Sequence, residues 1–205
     1  MLVESRDWRW QGRASIHIAS GGEIMDIVNS IGRQACVKLT SLGLAAAVLG
    51  ALAATPALAS QTVSVPSTYP AGMIIIKQSE RKLYFTTGDG TAIRYPVAIG
   101  KTGKAWRGQT FIAGKFIAPA WSPPESVLRD HPDLPPVIAS GAANNPMGAA
   151  ALTLKLSEVA IHGTSAKMRA SVGTAASYGC IRMLNEDVVD LFDRVKVGTP
   201  VVSIP

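Results

Sequence analysis

The chain has 205 residues, room for one ordinary domain with extensions and too few for two full domains. Apolar residues make up 47% and charged residues 17%, so a core is readily buried. The formal charge of +6 is spread thinly, with no run of five or six basic residues. This argues against a nucleic-acid partner and leaves room only for weak attraction to an anionic polymer.

In chain order, residues 1–24 are long and mixed in charge for the head of a leader, and Met25 follows them. We expect 1–24 to be an over-extended N-terminus and 25–59 to be a secretory signal peptide. Arg33 and Lys38 precede an alanine-rich apolar run that ends in Ala57-Leu58-Ala59, the small-x-small pattern of a cleavage site. The run approaches the length of a membrane anchor. Its alanine content and cut site favour cleavage, which leaves no stable membrane span. Removing 1–59 leaves 15 basic and 10 acidic groups and a single cysteine, Cys180. A lone thiol in an exported protein is unusual, because paired cysteines prevail in oxidising compartments.

Residues 60–71 read as a polar, proline-containing lead-in to a domain over 72–205. "MIIIKQ" reads as a buried strand, and "RKLYFTT" and "TAIRYPVAIG" form a hairpin around "GDG". "QTFIAGKFI" is a further strand. Residues 119–148, rich in Pro, Gly, Ala and Asn, form a long irregular segment of the kind that carries function or disorder. "ALTLKLSEVAIHG" returns to strand, with Leu152, Leu154 and Leu156 alternating against polar neighbours. One short helix is expected after Cys180, capped by Asn185 and burying Val188, Leu191, Phe192 and Val195. "VVSI" is a last strand. The fold class is therefore mainly β.

Three residues carry candidate chemistry. Gly179 allows close approach to Cys180, and the following helix is expected to stabilise a thiolate, the form that acts as nucleophile. His162, at the end of "VAIHGT", serves as acid and base near neutral pH. Arg182 offers a planar fork for a carboxylate. A zinc site through His131, His162 and Cys180 has a spacing that matches no common pattern and no carboxylate to complete it. Other readings are a papain-like endopeptidase, in which cysteine precedes histidine, and a non-catalytic wall-binding β domain.

"IHGT" followed after a gap by "SYGCIRM" resembles the signature of the L,D-transpeptidase (YkuD-type) catalytic domain of bacterial cell walls. "YPVAIGKTG", "PAWSPP", "NNPMGAAAL" and "NEDVVDLF" extend the likeness over Gly72 to Ile204. The resemblance implies a β-sandwich-like domain without metal or organic cofactor, lying in the periplasm at the cell wall. It implies Cys180 as nucleophile, His162 as base and acid, and the Gly163 carbonyl orienting the imidazole. It implies an oxyanion hole from the N–H groups of Tyr178, Gly179 and Cys180, with Arg182 and Ser177 holding the donor peptide. The implied substrate is a peptidoglycan stem peptide, and the family is acylated by carbapenems. The acceptor is another stem in a 3→3 crosslink, an outer-membrane protein, or water. Tyr178 stands where many members carry a second histidine, and "KAWRGQT" replaces a more frequent segment. The small-residue loop "MRASVGTAAS" is expected to move on substrate binding.

Overall fold

The computed structural model describes residues 60–205. The readings for 1–24 and 25–59 lie outside the described residues. None of the described helices is long and apolar enough to cross a membrane.

The strands in chain order are β1 (Gln61–Ser64), β2 (Ile74–Lys77), β3 (Lys82–Gly88), β4 (Thr91–Pro96), β5 (Ile99–Gly100) and β6 (Gly108–Ile117). After helix α1 (Glu125–Asp130) come β7 (Ala150–Leu154), β8 (Ala160–His162), β9 (Ala175–Ser177) and β10 (Ile181–Arg182). Helix α2 (Asn185–Arg194) and β11 (Pro200–Ile204) complete the chain. Among the described residues nine strands join in the order β1-β4-β3-β2-β11-β6-β7-β8-β10, and β5 pairs with β9 separately.

The ten-residue β6 makes this arrangement possible. Its first half pairs with β11 and its second with β7, with a register shift between Ile112 and Gly114. A bulge bends a strand and re-aims the residues beyond it, so one strand serves both halves of the sheet. The main apolar core results, with Ile74, Leu83, Tyr95, Leu152, Ile161 and Ile181 all buried in it.

The hairpin forms as its sequence requires. Asp89 and Gly90 both take positive φ, 50° and 69°, the geometry of a two-residue turn matched to strand twist. In β2 the run Ile74-Ile75-Ile76 is buried throughout, because two clusters sandwich it. Ile74 and Ile76 face the main core, while Ile75 packs with Tyr84 under Val63, Val65 and Tyr69. The expected lead-in is accordingly part of the sheet: its residues 61–64 are β1, pairing antiparallel with β4. Its polar composition suits an edge strand in which only Val63 is partly covered.

Three further expectations are corrected. Strand pattern does not run through "ALTLKLSEVAIHG", because residues 155–159 turn, Glu158 taking φ 59°, and Leu156 is left 37% exposed. The segment 119–148 contains α1, which buries none of its residues and so shows no apolar periodicity. The loop "MRASVGTAAS" contains part of a 3-10 helix (Ala166–Ser171) and β9.

Helix α2 lays Val188, Leu191 and Val195 into the core, with Phe192 packed at its margin. It also buries Asp187, which is 4% exposed and whose Oδ2 has no hydrogen-bond partner among the described residues. Burial, then the charges of Glu186 and Asp190, push this carboxyl up to about 6. A raised folded-state value means that the charged form costs stability above pH 6 and that the cost vanishes below about pH 3.8. Asp187→Asn should therefore raise the melting temperature at pH 8, by an amount equivalent to roughly 1–3 kcal/mol, with no gain at pH 3.5. Thermal unfolding followed at both pH values checks this.

Candidate active site

The site is built on the parallel pair β8–β10, in which Ile161 lies opposite Ile181 and His162 opposite Arg182. The two isoleucines are fully buried in the core. Alternation along a strand then puts His162 and Arg182 on the other face. Cys180 immediately precedes β10, and its side chain lines the cleft described below. Arg182 is close enough to both Cys180 and His162 for its charge to act on each.

His162 is 2% exposed. Its Nδ1 lies 2.7 Å from the Gly163 carbonyl oxygen. A carbonyl only accepts, so in the neutral ring Nδ1 carries the hydrogen; the Pro146 carbonyl also lies against the ring. Burial, then the Arg182 charge, lowers the imidazole from 6.5 to about 4. His162 is therefore a neutral base at physiological pH.

Gly163 is held by Asn185, whose Oδ1 accepts the N–H groups of Ala149 at 3.1 Å and Thr164 at 3.0 Å. A Cβ on Gly163 would lie 2.2 Å from that oxygen, so the His–Gly pair needs glycine for space. Asn185 is thus not the helix cap that its sequence context suggests. The cap position is Leu184, and Asn185 is the first helical residue, its amide turned to the loops beside His162. Sequence reasoning missed this role, because an Asn before Glu-Asp at a helix start reads as a cap.

Cys180 is half-buried, and its S–H donates to the Glu158 carbonyl at 3.5 Å. Burial raises the thiol above its ordinary value, while the Ala160 backbone and the Arg182 charge pull it down. The expected thiolate at a helix N-terminus is corrected: β10 and two further residues separate Cys180 from Asn185, where α2 begins. The resting pair is a neutral thiol and a neutral imidazole.

The turn 177–180 is tied by Ser177, which is fully buried. Its hydroxyl donates to the Cys180 carbonyl at 2.6 Å and accepts the Gly179 N–H at 3.1 Å. The Ser177 hydroxyl thus makes both its contacts within the turn, and one of them engages the Gly179 N–H. Gly179 takes φ 128°, a conformation that favours glycine. Arg182 is partly buried; it donates to Ser171 Oγ at 3.4 Å, and its Nε has no partner among the described residues.

A cleft of about 490 Å³ opens at Cys180, walled by Trp121, Ser122 and Pro124 on one side and by residues 153–160 on the other. His162, which is buried, is not among the residues lining it. His131 sits 3.5 Å from the Tyr178 hydroxyl in an exposed cluster. Among the described residues, no three His, Cys, Asp or Glu side chains converge as metal ligands.

The model of the L,D-transpeptidase catalytic domain (YkuD) matches residues 71–202. The chain belongs to this family. It is 35% identical over 152 residues to the probable L,D-transpeptidase YbiS of Escherichia coli K12, covering 70% of this chain and 48% of that protein. It is 29% identical over 196 residues to a putative L,D-transpeptidase from the ATP synthase region of Fuscovulum blasticum, covering 85% and 98% respectively. Among solved structures, L,D-transpeptidase 3 from Mycobacterium tuberculosis superposes with a TM-score of 0.53 at 16% identity, covering 66% of this chain and 62% of that one. That likeness shows a shared L,D-transpeptidase fold. The chain spans about half the length of YbiS and of ErfK/SrfK, another probable L,D-transpeptidase that it matches.

The geometry of this L,D-transpeptidase domain makes Asn185 and the His162 imidazole open to direct test. Asn185→Ala strands two backbone N–H groups, at roughly 1–3 kcal/mol each where they are buried, and frees the Gly163 segment. It should lower the denaturant midpoint and shift the His162 ring resonances, while Asn185→Asp, which keeps the acceptor oxygen, should shift them less. The lowered imidazole predicts a reaction that persists at pH 5 and fails as pH drops through about 4, whereas an ordinary histidine would lose it near 6.5. A pH–rate profile of Cys180 acylation distinguishes the two.

Proposed function

We propose that the protein is an exported L,D-transpeptidase that acts on peptidoglycan stem peptides through a Cys180 thioester and forms 3→3 crosslinks. The observation that carries this reading is the imidazole of His162. It is buried and neutral, its Nδ1–H committed to the Gly163 carbonyl, and the Arg182 charge acts on both it and the Cys180 thiol. The family match supplies the reaction class.

The sequence of steps uses this chain's own groups. A donor tetrapeptide enters the cleft, and its carboxylate is drawn to Arg182, which has hydrogen-bond donors to spare. The thiol leaves the Glu158 carbonyl and turns to His162. Nε2 takes the thiol proton as Sγ attacks the carbonyl carbon of residue three. The N–H groups of Tyr178 and Cys180 receive the developing oxyanion; that of Gly179 joins only if Ser177 releases it. The C–N bond breaks, and the terminal D-alanine departs with the proton held on Nε2. An amine from a second stem then gives a proton to Nε2 and attacks the thioester. An amide forms, and the proton returns to sulfur. The Gly163 carbonyl takes the orienting place that a carboxylate fills in other triads.

Mass spectrometry of residues 60–205 incubated with disaccharide-tetrapeptides tests the reading, with Cys180→Ala as control. The expected product is a dimer lighter by one alanine and absent from the control. Tripeptide alone would make water the acceptor. Failure of both peptides and a carbapenem to modify Cys180 would overturn the reading in favour of a wall-binding domain.

A further inference from the structure

Tyr178 departs from the pattern the chain otherwise resembles, and its surroundings assign it a task. Residues 121–138 form a loop closed at its neck by paired backbone hydrogen bonds between Trp121 and Ile138, of 2.9 and 2.8 Å. The neck is firmly held. Asn145 donates to the carbonyls of Pro119 and Ala139 at 2.8 and 2.9 Å, and is itself buried. The tip is different: from Pro124 through Val137 no residue is buried. Apolar burial therefore gives the tip little reason to stay in one place.

Polar contacts hold it to the catalytic turn. The Tyr178 hydroxyl donates to Asp130 Oδ2, at the end of α1. Lys101 Nζ lies 3.4 Å from the same oxygen and 4.0 Å from the centre of the Tyr178 ring. His131 meets that ring edge-on, with centroids 6.4 Å apart. Lys101 is fixed to the turn in its own right, because its N–H donates to the Ser177 carbonyl at 2.9 Å. The cluster thus joins the tip of the loop to the residues flanking the nucleophile. The near end of the same loop, Trp121 to Pro124, is one wall of the Cys180 cleft.

We infer that Tyr178 and Asp130 are positioning residues: their hydrogen bond, backed by Lys101, latches the 121–138 loop to the catalytic turn and sets how wide the Cys180 cleft opens. The inference deepens the proposed function, since the cleft is where a stem peptide reaches the thiol.

The test compares wild type with Tyr178→Phe, Asp130→Ala, the double variant and Asp130→Asn, which keeps an acceptor oxygen for the phenol. Cys180 is alkylated with iodoacetamide, which is small, and with a maleimide carrying a polyethylene-glycol chain, which is bulky. Tyr178→Phe and Asp130→Ala should each speed the bulky reagent about threefold to tenfold, with the small one within about twofold. The double variant should be no faster than either single one, because both remove one contact. Asp130→Asn should stay near wild type with the bulky reagent. Amides of α1 should exchange faster in the two disrupting variants. Equal acceleration of both reagents would mean that thiol reactivity changed and not access, and would overturn the inference, as would unchanged bulky-reagent rates or additive effects. Where stem peptides turn over, Asp130→Ala should raise KM and leave kcat unchanged. Alkylation decides the latch even if no stem peptide reacts, so its failure and that of the proposed function are separately read.

Discussion

The parallel pairing of two very short strands, β8 and β10, is the constraint on which the site depends. Ile161 and Ile181 sit opposite each other and are both sealed in the core, so neither strand can slip by one residue without expelling an isoleucine into the cleft. That fixed register puts His162 beside Arg182 on the opposite face, and Arg182 is near enough to act on Cys180 as well. The Met183 N–H bond to the His162 carbonyl, at 2.8 Å, extends the pairing by one residue and leads directly into α2. Core packing thus sets the catalytic register, although no reactive group belongs to the core.

Burial then sets the electrostatics. Desolvation lowers the imidazole and raises the thiol, so both rest uncharged, and the nearby Arg182 favours the thiolate while disfavouring the imidazolium. A permanently formed ion pair would have to be desolvated on closing the site. A neutral pair carries no such cost at rest. The backbone carbonyl of Gly163 suits this arrangement: it fixes the tautomer without adding the full negative charge that would raise the imidazole toward its ordinary value.

Much of the architecture was legible in local pattern. The Ile74–Ile76 run, the Asp89-Gly90 turn and the 188/191/195 face of α2 each reflect a period or turn chemistry contained in a few adjacent residues. What escaped was non-local or lacked apolar signal. The strand at 61–64 looked like a tail because an edge strand needs little hydrophobicity, and α1 buries nothing that periodicity could register. The turn at 155–159 interrupted an alternating run because Glu158 adopts a positive φ, which a glutamate does not advertise. Asn185 looked like a cap because its choice of partner is made by loops 21 and 36 residues away.

The sequence by itself determined which side chains can do the chemistry: a thiol preceded by glycine, a histidine followed by glycine, and an arginine two residues past the thiol, in an order and spacing that resemble a known family. Residue type carries that information directly. Only the tertiary structure decided how those groups face one another. It turned the thiol to Glu158, committed the Gly179 N–H to Ser177, and gave Tyr178 a partner 48 residues earlier in the chain. Those choices depend on which distant segments pack together, and packing is a property of the whole core that no local stretch of sequence encodes.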